Sequence, residues 1–416
     1  MRDWTRPVAS GQRASQAESM VTGDAERKAA VKAAFGAVAT TTASVIPVFL
    51  VGGLAVQISH ELGFSPAGLG VVVALYFAAG ALCSIPAGWL VERYGDKLTS
   101  RAGVLLAAAS MLSIAGLARS YLSLLVIMMV GAAGNSLGQL SSNLSLARQV
   151  PKHRQGLSFG VKQSAIPIAT LLAGATIPTI ALPVGWRWAF VVIACLALLA
   201  LPLAPRGPRP PVRPKGGSDP RTERATGALV VLALGATLAA GSASALGIFL
   251  VSSAVAQGIG AGTAGLVLTA GSLVGVGARL GGGWLADRRG RQHILVVAAT
   301  LAIGAGGLAL LALPGMWTLV IGTVVGFGLG WSWPGVLNFA VVRLNPLAPA
   351  AATSITQAGV YCGGCLGPLV FGVVAARSYP LAWLVGAGAM VGAAVTMLIG
   401  RRLLMAHPSV TRLRRS

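Results

Sequence analysis

Two cationic side chains stand where water is scarce. Arg279 lies in the apolar run 262–286, eight residues before Asp287. At about 1.5 Å of helical rise per residue it sits about 12 Å from the polar end of that run. Lys162 lies six residues into the run 156–181. A charge at the centre of a membrane helix costs roughly 2.5–3.5 kcal/mol on insertion scales, so each needs a reason. A guanidinium is a planar fork of donors that fits a carboxylate or another oxyanion, and Arg279 is the leading candidate for that chemistry. Its plainer reading is an extension of the charged end of its own helix. Lys162 either contacts the same anion or lays its stem along the helix and carries its ammonium to the surface. The ten acidic residues, among them Glu61, Glu92, Asp96 and Asp287, all avoid the middle of the runs. A buried carboxylate for protons or cationic ligands is therefore missing.

Amides and aromatic rings supply the remaining candidates. Gln163, Pro167 and Thr170 form one polar stripe, and Gln357 holds the place of Gln163 in the second half after a one-residue loop shortening. Asn135, Gln139 and Ser142 share a face of the run 121–146, while Trp331, Pro334 and Asn338 mark the run 316–343. Such amides either bond a neighbouring helix or line a wet cavity. Trp331 and Trp333 are two residues apart, so at most one faces a cleft, and the spacing to Asn338 favours Trp331. Gly326, Gly328, Gly330 and Gly335 make the same run bent or adaptable. The four histidines and four cysteines are too scattered for a metal cage, and Cys362-Gly-Gly-Cys365 reads as small packing residues. With no nucleophile–base set in view, neither enzymatic chemistry nor a cofactor is expected.

The elements that must position these groups follow from composition. Of 416 residues 55% are hydrophobic and only 10% charged, against about 25% charged in a soluble domain. Charge this sparse cannot cover soluble domains of this size. Apolar runs recur at 34–58, 66–90, 101–118, 121–146, 156–181 and 186–203, then at 227–257, 262–286, 293–313, 316–343, 350–376 and 379–400. Each can cross a lipid core of about 30 Å as a helix, and none shows the short alternation of barrel strands. The segment 205–224 mixes six prolines with six Arg and Lys residues and reads as a solvated linker. The expected organisation is an N-terminal tail 1–33, a six-helix bundle 34–203, a Pro/Arg-rich linker 204–226, a second six-helix bundle 227–400 and a basic tail 401–416. The tail 1–32 has no apolar core and is not expected to be a signal peptide.

The net charge of +22 is a topology signal rather than a nucleic-acid footprint. With residues 1–32 placed on one side, 27 of the 32 basic residues fall on that side, and Arg119, Arg187 and Arg377 alone fall opposite. By the positive-inside rule both termini are cytoplasmic. The composition, rich in Ala and Gly with little Lys, suggests a bacterial inner membrane.

An internal repeat sharpens this picture. Gly88-Trp89-Leu90-Val91-Glu92-Arg93-Tyr94-Gly95 returns 195 residues later as Gly283-Trp284-Leu285-Ala286-Asp287-Arg288-Arg289-Gly290, followed by Arg291. At the same offset Gly131 matches Gly326, Asn143 matches Asn338, Arg148 matches Arg343 and Pro151 matches Pro346. Two homologous six-helix halves in parallel orientation follow. The loop pattern Gly-x-Leu-x-Asp-Arg-x-Gly-Arg, matched fully by Gly283–Arg291, resembles that of the major facilitator superfamily. The first copy departs from it, with Glu92 for the Asp and Asp96 where the family favours Arg.

The resemblance implies an all-α membrane protein of two pseudo-symmetric six-helix bundles, moving a small solute by alternating access around a midplane site. It implies a cytoplasmic gating role for Gly88, Glu92, Arg93, Gly95, Gly283, Asp287, Arg288, Gly290 and Arg291. The expected substrate is a small organic or inorganic anion, held by Arg279 with Lys162, Gln163, Gln357, Asn135, Gln139, Trp331 and Asn338 as further candidates. The alternative is multidrug efflux of neutral or amphipathic compounds. The expected partners are that solute and the lipid bilayer, with the chain acting as a monomer. Proton coupling stays open, with His60 and Glu61 at the end of the first run as acid–base groups.

Overall fold

Inside a bilayer each backbone N–H and C=O must be satisfied within the chain, so a long apolar run settles as a helix. The computed structural model describes residues 8–149, 155–204, 226–288, 292–344 and 349–406. It contains twelve helices long and apolar enough to span a membrane. They are α1 (Val31–Gly53), α2 (Pro66–Tyr94), α3 (Asp96–Leu117), α4 (Tyr121–Leu146), α5 (Gly160–Val184), α6 (Trp186–Leu203), α7 (Gly227–Ala256), α8 (Ala261–Leu285), α9 (His293–Leu310), α10 (Met316–Leu344), α11 (Ala352–Ala375) and α12 (Tyr379–Ala406). The helix that carries α1 begins earlier, at Val8, so much of the expected N-terminal tail is helical. The expected linker and C-terminal tail lie largely outside the described residues.

Helices α1–α6 and α7–α12 make the two halves. The face with Arg93, Lys97, Arg401 and Arg402 is the basic face, and the opposite one the far face. Helix α1 is 83% buried and α7 67%, whereas α8 is 33% buried. The first two therefore stand at the centre, and the others give one side to lipid. Within a half, small residues let backbones approach. Gly134 of α4 packs on Gly103 of α3, and Gly330 of α10 packs on Gly304 of α9.

The halves meet along a seam that three helix pairs close near the far face. Near the far face Gly52 of α1 packs on Ile248 of α7, Gly70 of α2 on the Pro368 carbonyl of α11, and Gly174 of α5 on the Gly265 carbonyl of α8. Near the basic face Gly160 of α5 lies against the Arg279 carbonyl and Gly283 of α8, and against Gly335 of α10.

Two helices depart from regular geometry. A π-helical turn occupies Ile177–Ala181 of α5 and another Gly326–Gly330 of α10, so the bend expected from the α10 glycines is present. Glycine is required at the hairpin between α2 and α3, where Gly95 holds φ of 81°.

At the far face a polar clamp ties three helices of the first half. Arg187 Nη2 lies 2.8 Å from Glu61 Oε1 and donates to the Ala118 carbonyl at 2.8 Å. Trp186 Nε1 donates to Glu61 Oε2 at 2.7 Å, and the guanidinium stacks on the Trp186 ring. Glu61, a candidate for acid–base coupling, is thus held in a tie with Arg187 and Trp186.

Candidate functional site

The seam reaches its most polar point at mid-membrane. Thr170, ten residues into α5, and Ser272, on α8, share a hydrogen bond of 2.8 Å between the two halves. The same hydroxyls lie within bonding distance of their own helices, Thr170 at 3.1 Å from the Pro167 carbonyl and Ser272 at 2.7 Å from the Leu268 carbonyl, so one of them donates across the seam and the other to its own helix. One helical turn nearer the far face, the Thr269 hydroxyl donates to the Gly265 carbonyl of its own helix at 2.8 Å and lies 3.4 Å from the Leu171 carbonyl across the seam.

Seven residues beyond Ser272 on the same face of α8 stands Arg279. It is 3% exposed, and none of its three guanidinium nitrogens has a hydrogen-bond partner among the described residues. Its Cζ lies 5.5 Å from the centre of the Trp331 ring. A cation–π contact in a desolvated place is worth about 2 kcal/mol and offsets only part of the cost of burying a guanidinium.

Trp331 sits where the π-helical turn of α10 ends, with φ of −118° and ψ of 10°. Such turns are frequent at functional sites because they break the regular ladder and re-aim a side chain. Its ring centre lies 5.5 Å from that of Phe327, and 5.9 Å from that of Phe49 across the seam on α1, edge to face. Phe327 in turn packs on Gly275 of α8, beside Pro167 of α5. One unpartnered cation thus stands among aromatic rings contributed by both halves.

Lys162 does not reach the surface, as a snorkelling stem would. It is 2% exposed, and Nζ donates to Gln139 Oε1 at 2.6 Å and to Asn143 Oδ1 at 2.8 Å, both on α4. Gln139 and Asn143 are one helical turn apart and form a two-pronged acceptor. The ammonium is held by neutral oxygens within the first half. Substituting Gln139 with Leu is expected to lower the melting temperature of the purified protein, and adding Lys162→Met to restore part of the loss. Coupling of about 0.5–3 kcal/mol is the range for residues in direct contact. Strictly additive losses would mean the contact is absent in solution.

The other candidates are spread along the seam's flanks. Asn135 is 5% exposed, and its Oδ1 has no partner among the described residues. Gln163, Gln357 and Asn338 are half-buried. Trp333 is buried like Trp331, with its indole N–H unpartnered among the described residues.

Of the gating motif, Glu92 and Arg93 are exposed. The Arg93 guanidinium lies over the Trp89 and Tyr94 rings of its own helix, at 5.1 and 5.8 Å. A side chain at Gly88 would meet nothing within 4 Å, whereas Gly283 packs against Gly160 of the other half. Asp96 begins α3, 1% exposed, and its Oδ1 accepts the Lys97 backbone N–H at 3.0 Å. An acid there complements the helix N-terminus, which accounts for Asp at a position where Arg would oppose the dipole. The side chains of Asp287 and Arg288, and all of Gly290 and Arg291, lie outside the described residues.

Sequence reasoning passed over Phe49, Phe327, Ser272 and Asn143. Ser272 was findable, being seven residues from Arg279 and so on its face, and Phe327 was findable four residues before Trp331. Phe49 carries no such signal, because nothing in α1 points to a ring on α10.

Two related six-helix halves meeting at a mid-membrane seam, with a buried cation beside it, define a membrane carrier built for rocking. Comparison with known families agrees: the model described as Major Facilitator Superfamily matches twice, over residues 34–348 and 232–414. The chain belongs to the major facilitator superfamily and is a secondary transporter. Among solved structures it is similar to a bacterial homologue of the human lysosomal transporter Spinster, in inward-facing unoccupied and occupied forms. Both superpose with a TM-score of 0.64, at 17% and 19% identity, over 90% and 91% of this chain and 96% of each relative. Likeness at that identity concerns the fold.

Proposed function

We propose that this transporter moves a small organic or inorganic anion by alternating access, across a bacterial inner membrane with its basic face cytoplasmic. The observation that carries the reading is the Arg279 guanidinium, buried between the mid-membrane seam and the basic face without a hydrogen-bond partner among the described residues. The described spans hold no mid-membrane carboxylate to neutralise it. A charge kept in such a place at a cost of several kcal/mol needs a partner that comes and goes. An anion is that partner, and its charge-assisted hydrogen bonds form only while it is bound. Gln163, Gln357, Asn135 and Asn338 are the polar groups available to orient it as the halves move, and Lys162 serves as a brace between α4 and α5.

The test is the melting temperature of the purified protein against acetate, succinate, phosphate, sulfate and two lipophilic cationic dyes, with Arg279→Ala beside the wild type. Stabilisation by an anion that vanishes in the variant supports the reading. Stabilisation by the dyes alone, unchanged in the variant, overturns it in favour of drug efflux.

A further inference from the structure

We infer that the anion taken by this site carries a single negative charge on a flat aromatic body, as benzoate does, rather than being a compact, multiply charged inorganic ion. The inference rests on the anion reading above and narrows its substrate class.

Charge comes first. Of the two buried Lys and Arg side chains among the described residues, Lys162 already has its ammonium on Gln139 and Asn143. Arg279 has no hydrogen-bond partner among the described residues, so the site offers one compensating charge. A second negative charge would enter a dry seam without a partner, at a cost no remaining group offsets.

Hydrogen bonding points the same way. Phosphate and sulfate present several strongly hydrated oxygens that must each find a donor. The hydroxyls on the elements around the guanidinium are engaged, Ser272 with Thr170, Ser164 with the Gly160 carbonyl and Ser332 with the Leu329 carbonyl. A carboxylate needs only the two-pronged face of one guanidinium.

Shape completes the argument. Trp331, Phe327 and Phe49 form a chain of rings with centres 5.5 and 5.9 Å apart, and the guanidinium lies beside the Trp331 face. Phe49 belongs to the first half and the other two to the second. In the closed seam Phe49 packs against Trp331 at 62° between ring planes. As the halves rock apart Phe49 lifts away, and a ligand ring replaces it against Trp331 with its carboxylate on Arg279. Aromatic pairs prefer such offset or edge-on contacts, and an aliphatic ring of equal size forgoes that preference.

The experiment measures binding of benzoate, cyclohexanecarboxylate, acetate, phosphate and sulfate to the detergent-purified full chain, by calorimetry and thermal shift. The wild type is run beside Arg279→Gln and Trp331→Leu. Benzoate is expected to bind about three- to tenfold more tightly than cyclohexanecarboxylate, and acetate more weakly than either. Arg279→Gln abolishes binding of all three, while Trp331→Leu removes the preference between the two rings and leaves the dependence on Arg279. Should Trp331→Leu fail to fold, the ligand order in the wild type decides alone. Arg279-dependent binding of phosphate or sulfate without benzoate, or equal binding of the two ring acids, overturns the aromatic inference while the anion reading stands. Indifference to every anion overturns both.

Discussion

Replacing Arg279 with Met is expected to raise the melting temperature of the unliganded protein while it abolishes any response to anions. The two effects have one cause. In the closed seam the guanidinium is 3% exposed, and its nitrogens have no hydrogen-bond partner among the described residues. The ring of Trp331 at 5.5 Å returns about 2 kcal/mol of a desolvation penalty of several kcal/mol. Met fills similar space without charge, so about 1–3 kcal/mol of stability is gained by this difference. The ligand loses its charge-assisted bonds, worth about 1.5–3 kcal/mol each, so affinity falls at least tenfold. Active sites commonly hold such destabilised groups, and stabilising replacements there cost function. The measurement is a thermal melt with and without the best anion from the binding panel. A variant that melts below the wild type would show that Arg279 has a structural partner in solution, and its assignment to substrate would fall. Gln139→Leu, expected to lower the melting temperature, is the contrasting case of a cation already satisfied.

Gly174→Val is expected to hold the seam open at the far face and cut transport about 10- to 100-fold. A Cβ at Gly174 would come within 2.7 Å of the Gly265 carbonyl and of Thr269 Oγ1, and within 3.0 Å of the Thr269 backbone nitrogen. All three atoms belong to α8, in the other half, so the clash arises only when the halves are closed. Overpacking costs about 1–3 kcal/mol, and a shift of that size between two states changes their ratio by about 5- to 150-fold. The readout is a cysteine-free background carrying Thr269→Cys, labelled from the far face by a membrane-impermeant maleimide. Labelling should rise in the Gly174→Val protein. Gly116→Val is the control, since its side chain meets nothing within 4 Å. Unchanged labelling with normal transport would mean that this contact plays no part in closing the seam.

The contrast between Lys162 and Arg279 shows where sequence reading stops. Both are single cations in apolar runs, and along the chain they look alike. Position on the neighbouring helix separates them. Gln139 and Asn143 happen to present two oxygens to Lys162, and nothing comparable among the described residues faces Arg279. Likewise Arg93, read as a gate partner, lies over rings of its own helix, because Trp89 and Tyr94 flank it on the same turns. Glu61 carries no mark of Arg187, 126 residues away, yet the two form a clamp.

The sequence by itself determined what the bilayer imposes on a single helix: twelve spans, their charge asymmetry, the two-fold repeat, the depth of Arg279 and the lack of mid-membrane carboxylates. Apolar length and charge position are one-dimensional quantities, and the lipid core selects them helix by helix. Only the tertiary structure decided which polar groups are paired, that Phe49 meets Trp331, and that the seam is closed through glycines at three helix pairs. Those contacts depend on the rotation and crossing of packed helices. In lipid every face of an apolar helix is equally free of water, so periodicity cannot mark the face that meets a neighbour.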